Sequence, residues 1–159
     1  MFKLFIAALL IILTIPKQIS FAQNIATDSA TTMQFESVNP GSPYYIFKRL
    51  KETVTLNFLT FGEQNKAKYT EQLLDTRFKE LIYGVETGKI GYLENIAGRY
   101  TNQGGTIIEK YIKIDRNFKS QGERYLPVLA RLRDHYPSNS AYWLMLQAAI
   151  DTTKRIVGY

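Results

Sequence analysis

The sequence predicts an all-α protein in which about five amphipathic helices form an antiparallel helical bundle that starts with a helical hairpin. Apolar side chains recur with a helical period through most of the chain after residue 40. Short stretches rich in glycine, proline or polar residues separate these periodic segments. The length of 159 residues fits one domain, and no repeat suggests a solenoid.

The N-terminal residues have the pattern of an export signal. The basic Lys3 precedes an almost unbroken apolar run from Leu4 to Ile15, and Ser20-Phe21-Ala22 supplies small residues before a possible cleavage point. The apolar run is shorter than the ~20 residues of a typical membrane span. An uncleaved signal anchor is the alternative.

These features predict the domain organisation and the location. We expect residues 1–22 to be a signal peptide, 23–39 a flexible linker and 40–159 a single helical domain. The protein would then be secreted or extracytoplasmic, or membrane-anchored if the signal is not cleaved.

Composition narrows the classes of function. The chain has no cysteine, which excludes thiol catalysis, thiolate metal sites and lipidation. Loss of Lys3 and Lys17 with the signal would lower the formal charge from +6 to about +4, and the basic residues alternate with acidic ones. Nucleic-acid binding needs a clustered basic surface, so we expect no nucleic-acid partner. Attraction to an anionic wall or membrane surface is the alternative to ordinary solubility.

The first helix is predicted after Ser42 and Pro43, which suit the N-cap and the first helical position. Its apolar stripe is expected to face the core and comprises Phe47, Leu50, Val54 and Phe58.

The second helix is predicted to begin at a capping box formed by Thr60 and Glu63 and to end at Gly88. Its stripe comprises Ala67, Leu74, Phe78, Leu81 and Val85, supported by Thr70 and Ile82. The short connection predicts an antiparallel hairpin with the first helix.

The third segment contains the pair Gly104-Gly105, which could be a turn between two strands. Its apolar residues keep a seven-residue spacing across the glycines, at Leu93, Tyr100, Ile107 and Ile114. We therefore predict one helix from about Gly91 to Ile114. Gly104 falls on the apolar stripe, where a missing side chain would let another helix approach closely; a kink is the alternative.

The remaining chain predicts a polar loop over 115–121 and two further helices. The fourth helix has Pro127 in its first turn or at a kink, and its stripe comprises Tyr125, Val128, Leu129, Leu132 and Tyr136. Residues 137–140 end it and cap the fifth helix, which runs from about Ala141 to Ile156. The fifth stripe comprises Trp143, Leu146, Ile150, Thr153 and Val157, and we expect Trp143 in the core.

No motif predicts a catalytic, cofactor or metal site. His135 is the only histidine, and its place near a helix end favours a structural role or plain exposure. The acidic residues of the second and third helices have no spacing that sets them apart from solvated helix faces, namely Glu80, Glu86, Glu94 and Glu109. The densest basic patch comprises Lys110, Lys113, Arg116 and Lys119. We interpret it as basic side chains that interact favourably with the C-terminal end of the third helix. The 11 tyrosines could line a groove, but packing is the usual role.

A set of ordered residues over Pro40 to Gly88 resembles an uncharacterised bacterial family that is known only as a domain of unknown function. The motif begins with Pro40-Gly41-Ser42-Pro43, continues through Tyr45, Lys48, Arg49 and Glu52, then Thr60-Phe61 and Lys66, and ends with Arg77 and Glu80 inside the apolar helix from Leu74 to Leu81. The likeness continues more weakly to Trp143. The chain departs from the family at Gly62-Glu63, where Asp-Pro is common. The resemblance implies a helical, extracytoplasmic domain carried behind a signal sequence or single span, in some cases near anti-sigma-factor-like architectures, and implies no reaction and no ligand.

The hairpin register predicts a junction between its two helices. An antiparallel alignment centred near Phe61 places Tyr45 near Arg77, Lys48 near Leu74 and Asp75, and Ser42 near Glu80. We expect Arg77 to reach the turn at 42–45 by stacking on Tyr45 or by pairing with a carbonyl or Glu80. The junction could lock the hairpin or receive a ligand.

Two hypotheses for function follow. The first is an exported, non-catalytic module that binds a protein or envelope partner, which predicts an exposed apolar-aromatic groove. The second is a cell-envelope enzyme acting on wall polymer, which predicts two acids that face each other in a cleft. The composition and the single histidine favour the first.

Overall fold

The computed structural model describes residues 35–159 as helices joined by short turns. The five α-helices are α1 (Tyr45–Val54), α2 (Glu63–Glu86), α3 (Leu93–Thr106), α4 (Asn117–Asp134) and α5 (Ala141–Val157). Two five-residue π-helical segments continue α1 and α3, at Thr55–Leu59 and Ile107–Tyr111, and a 3₁₀ turn at Ile90–Tyr92 precedes α3. The all-α prediction is confirmed. The predicted signal peptide and residues 23–34 of the predicted linker lie outside the described residues.

The core lies between α2, α3, α4 and α5, whose buried side chains form one cluster. The predicted stripe of α2 is buried throughout, and Gly88 ends that helix region with a positive φ of 66°. Phe78 of α2 stacks on Tyr125 of α4 with ring centroids 3.7 Å apart, and the Tyr125 hydroxyl donates to Asp75 Oδ1 at 2.7 Å. Periodicity therefore located most of the core.

The third segment is helical through both glycines, as the seven-residue spacing predicts. The residue that follows α3, Ile107, keeps helical dihedral angles, and the π-helical turns extend to Tyr111. A β-carbon added to Gly104 would lie 2.3 Å from Thr152 Cγ2 of α5, whereas one added to Gly105 would meet nothing within 4 Å. Gly104 thus permits the close approach of α3 and α5.

The orientation predicted for α1 is wrong. Its stripe lies on one side of the helix, but Phe47 and Leu50 are exposed and Glu52 is the buried residue of α1. The side that faces the bundle carries ionic and hydroxyl groups instead, because these groups find charged partners on α2. The spacing of apolar residues shows that the two sides of a helix differ in polarity, but it does not show which side packs against the bundle.

Several predicted helix starts also need correction. Tyr44 occupies the N-cap position of α1 without a side-chain capping hydrogen bond, and the Ser42 hydroxyl accepts from the Tyr44 N–H at 3.3 Å in the turn before the helix. Gly62 precedes α2 with φ of 82°, and Thr60 donates to the Thr55 carbonyl at 2.8 Å, so the predicted capping box is absent. Ser140 caps α5 as predicted, since its hydroxyl accepts from the Trp143 N–H at 3.3 Å.

Helix α4 begins earlier than the sequence suggests. It starts at Asn117, whose N–H donates to Asp115 Oδ1 at 2.9 Å, so most of the predicted loop is helical. Phe118 is buried there, and Pro127 lies in the helix interior. Trp143 is only partly buried, with the Arg133 guanidinium 5.1 Å above its ring, which corrects its predicted place in the core.

Within residues 35–159, no helix combines the length and the apolar character that crossing a membrane requires.

Candidate functional site

The side of α1 that faces the bundle meets α2 and α3 in a group of ionic side chains, which we call the charge cluster. It consists of Tyr45, Lys48, Arg49, Glu52, Arg77, Glu80 and Arg99. Helical spacing explains its composition: the α1 members lie within two turns on one side of the helix, and Arg77 and Glu80 are one turn apart on α2.

Glu80 is the centre of the charge cluster and is fully buried. It accepts from Arg77 Nη1 at 2.8 Å, from Lys48 Nζ at 3.0 Å and from the Tyr45 hydroxyl at 2.9 Å. Burial alone would raise the pKa of Glu80, but Arg77, Lys48 and these hydrogen bonds together lower it below the ordinary value of 4.5. Glu80 is therefore a carboxylate at neutral pH.

Arg77 joins the two buried carboxylates and is only 1% exposed. Its Nη2 donates to Glu52 Oε2 while its Nη1 donates to Glu80, and Arg49 Nη1 also donates to Glu52 Oε2 at 3.1 Å. Burial opposes the charge of Arg77, but Glu80 and Glu52 outweigh it and raise the pKa of the guanidinium. The two acids thus share a cation instead of facing each other across open space.

Tyr45 fastens α1 to α3 as well as to α2. The guanidinium carbon of Arg99 lies 5.2 Å from the centroid of the Tyr45 ring, within cation–π range. Burial and the neighbouring Glu80 carboxylate raise the pKa of Tyr45, so its hydroxyl stays protonated and donates. Of the contacts predicted for Arg77, the stacking on Tyr45 is made by Arg99 instead, whereas the pair with Glu80 is present.

Three guanidinium groups border a small open cavity beside the charge cluster. The arginine cavity has a volume of about 180 Å³ and is lined by Arg49, Arg77, Arg99, Asn102, Gln103 and Thr106. Arg99 Nε is buried and has no hydrogen-bond partner within residues 35–159, and its nearest carboxylate oxygen, Glu80 Oε2, is 3.9 Å away. Burial outweighs the attraction of Tyr45 and Glu80 and lowers the pKa of Arg99.

The turn before α1 forms one wall of a second cavity of about 320 Å³. Pro40, Gly41 and Ser42 line it from one side, while Tyr83 and Tyr92 are among the residues on the other. Gly41 has a φ of 96°, and a β-carbon there would lie 3.2 Å from Tyr92 Cε2, so a glycine suits both the backbone and the packing. The fourth residue of the turn, Pro43, is exposed.

The opposite side of α1 presents large apolar side chains to solvent. We call it the α1 apolar face and define it as Ile46, Phe47, Leu50 and Phe58, which are 75%, 50%, 47% and 69% exposed. Leu59 and Phe61 extend it at the end of the π-helical turns and are also exposed. A cluster of exposed large apolar residues on one helix is the usual mark of a binding surface.

Of the residues singled out in the sequence, the structure brings together Tyr45, Lys48, Glu52, Arg77 and Glu80. Tyr45 contacts Glu80, about one helical turn beyond its predicted neighbour Arg77, and Lys48 contacts Glu80 instead of Asp75. Ser42 has no hydrogen bond to Glu80 and lines the second cavity.

Arg49, a member of the sequence motif, lines the arginine cavity. Arg99 was missed altogether, because nothing in the sequence links it to a residue 54 positions earlier. Its spacing to Asn102, Gln103 and Thr106 at i, i+3, i+4 and i+7 was the available signal of one polar helix side.

The other candidates lie apart from this region. His135 is exposed at the C-cap of α4, and the basic patch at 110–119 has exposed lysines and arginine. Among residues 35–159, no group of three or more histidine, aspartate or glutamate residues is arranged to hold a metal ion.

These features define a class: a small helical domain whose first helix is held to the bundle by buried ion pairs and turns its apolar side outward. Residues 37–138 match the family model described as a domain of unknown function (DUF5667), and the chain belongs to that family. The match includes the turn, the charge cluster and the arginine cavity, and ends before α5. No curated protein and no solved structure matches the chain.

Proposed function

We propose that the chain is an exported, non-catalytic module that binds a protein partner through the α1 apolar face. The observation that carries the proposal is the inverted placement of α1, with its ionic side buried and its apolar side exposed. Covering an exposed Phe or Leu side chain contributes ~1.5 to 3 kcal/mol of favourable hydrophobic free energy. A partner would recover this free energy at little cost in ordering, since the charge cluster already fixes α1.

The charges around α1 favour a protein groove over a lipid surface. Helices that lie in a membrane interface use a basic polar side to reach the headgroups. In α1 that side is occupied, because Lys48 and Arg49 pair with Glu80 and Glu52. Lys51 is the exposed base at the edge of the face. An apolar groove with an acidic rim complements this surface, whereas a symmetric dimer would bring the basic edges of two copies together.

The carboxylates of the charge cluster support binding more than wall hydrolysis. A glycoside-hydrolysing pair needs one acid that keeps its proton near neutral pH. The pKa of Glu80 is lowered, and Glu52 and Glu80 both bind Arg77. The export part of the proposal rests on the N-terminal apolar run and the small residues at 20 and 22.

The test compares Phe47→Ser/Leu50→Ser with Leu144→Ser, a matched change of an exposed apolar residue on α5. The mature chain is used to recover a partner from envelope extracts, and the affinity is then measured with the purified partner. We expect the double variant to weaken binding at least a hundredfold, about 2.7 kcal/mol, and Leu144→Ser to bind as the wild type does. Both should keep the wild-type melting midpoint, because the altered side chains are exposed.

Three outcomes would overturn the proposal. Equal binding by the double variant would remove the α1 apolar face from the interface. Binding to vesicles of anionic phospholipid that the double variant abolishes would assign the face to a membrane. A dimer in sedimentation equilibrium that the same variant dissociates would assign it to a second copy of the chain.

A further inference from the structure

We propose that the arginine cavity binds a phosphate group, either as the free ion or as the terminal group of a phosphate ester. The cavity lies where α1, α2 and α3 meet, on the side of α1 opposite to the α1 apolar face. The inference therefore stands independently of the protein partner proposed above.

The first argument is the charge balance around the cavity. Four cations surround two buried carboxylates: Lys48, Arg49, Arg77 and Arg99 face Glu52 and Glu80. A third acid, Glu36, approaches Lys48 at 3.5 Å and Lys79 at 3.9 Å and has no ion pair with an arginine of the cavity. Three guanidinium groups at the cavity thus face two carboxylates, which leaves an excess of one positive charge that a bound anion would offset.

The second argument is an unused donor. Arg99 Nε is a buried N–H group without an acceptor within residues 35–159. Its nearest acid, Glu80, already accepts hydrogen bonds from Arg77, Lys48 and Tyr45. Buried donors are normally satisfied, so the Arg99 guanidinium, which lines the cavity, keeps hydrogen-bonding capacity that the described residues do not use.

The third argument is the chemistry of the lining. Guanidinium groups present paired N–H donors whose spacing matches the oxygens of phosphate. Asn102 and Gln103 add neutral amide donors from the same side of α3, and Thr106 lies one turn further on. Their side chains are partly or fully exposed at the cavity mouth, so a phosphate could enter from solvent while its attached group stays outside.

The experiment titrates the full chain with inorganic phosphate and follows the arginine Nε–H signals by NMR, with sodium chloride balancing the ionic strength. We expect saturable shifts of the Arg99 signal. Arg99→Gln should weaken phosphate binding at least tenfold, about 1.4 kcal/mol. The matched control is Arg131→Gln, which removes an exposed arginine paired with Glu86 at 3.0 Å and should leave the affinity unchanged.

A second variant keeps the test decisive if Arg99→Gln does not fold. Asn102 is exposed, so Asn102→Asp adds a carboxylate at the cavity mouth with little effect on folding, and it should abolish phosphate binding. Glycerol phosphate in a parallel titration separates the two sources: binding at least as tight as that of inorganic phosphate assigns the site to an ester, and weaker binding to the free ion. Shifts that do not saturate, or that persist unchanged in Asn102→Asp and Arg99→Gln, would overturn the proposal.

Discussion

Arg77 holds together two carboxylates that would otherwise be buried without a counter-ion. Its guanidinium divides its donors between Glu52 on α1 and Glu80 on α2, and it is itself almost inaccessible to water. A buried ion pair is rarely a large net source of stability, because desolvation offsets the attraction between the charges. Removing one partner is a different matter, since the remaining charges stay buried and unpaired.

We therefore predict that Arg77→Ala lowers the free energy of unfolding by about 3 to 5 kcal/mol. Urea denaturation followed by circular dichroism measures the change. Arg131→Ala is the control, because its pair with Glu86 is exposed to water and should contribute less than about 1 kcal/mol. An unchanged midpoint for Arg77→Ala would show that water reaches Glu52 and Glu80 when α1 opens locally.

The residues of this junction show how far single positions could be read from the sequence. The hairpin register placed Tyr45 and Arg77 in one neighbourhood, because two antiparallel helices with a short connection have few alternatives. It erred by about one turn, since π-helical turns after Val54 change the rise and rotation of the connection. Arg99 could not be placed, because its contact depends on how α3 packs across both helices.

Helices α3 and α5 come close together at Gly104. The Cγ2 methyl of Thr152 occupies the space where a β-carbon would be, and Ile156 lies beside it. The next residue, Gly105, faces open space in the same helix. A side chain would collide with α5 at Gly104 but would fit at Gly105, so the two adjacent glycines are a matched pair for mutation.

We predict that Gly104→Ala destabilises the protein by about 1 to 3 kcal/mol, because the added methyl forces α3 and α5 apart. Gly105→Ala should instead stabilise it by about 0.5 to 1 kcal/mol through helix propensity. Chemical denaturation curves with unchanged slopes would measure both effects.

A rescue variant identifies the cause of the Gly104→Ala effect. Thr152→Ser removes the methyl group that collides, so it should recover part of the loss in the Gly104→Ala background. If the double variant is no more stable than Gly104→Ala alone, the contact with Thr152 is not the cause.

The helices were predicted well where a regular apolar stripe is buried, and less well where the sequence is mostly polar. Most positions in the stripes of α2, α3 and α5 were predicted correctly because each helix covers one apolar side, whereas Trp143 is only partly buried and Ile114 is exposed. The start of α4 was missed because Asp115 to Gln121 is polar in composition. Phe118, Gln121 and Tyr125 nevertheless have helical spacing and are buried, and this spacing was the overlooked signal.

As a whole, the bundle extends beyond the part of the chain that matches the family model. The match ends at residue 138, yet α5 supplies Leu146, Ala149, Ile150, Ile156 and Val157 to the core. The buried Tyr100 of α3 also exchanges a hydrogen bond of 2.7 Å with Thr153 of α5. The family model thus ends inside the folding unit that the structure describes.

We predict that a chain shortened after residue 138 has no cooperative thermal transition, because five apolar core positions and the partner of Tyr100 are lost. Differential scanning calorimetry measures the transition. Removal of Tyr159 alone, an exposed C-terminal residue, should leave the midpoint unchanged. A cooperative transition of the shortened chain at the full-length midpoint would show that α5 is dispensable.

Because ionic groups attach α1 to the bundle, the attachment of α1 should respond to acid, whereas the apolar core should not. The pKa of Glu80 is lowered in the folded state, so the stability it contributes is complete above about pH 4.5 and disappears as the pH falls through the lowered value. The apolar core of α2 to α5 does not titrate. Acid should accordingly detach the first helix while the other four stay assembled, and urea or heat should act on both together. Acidic surroundings would therefore free α1 from α2 and α3 without dismantling the apolar core.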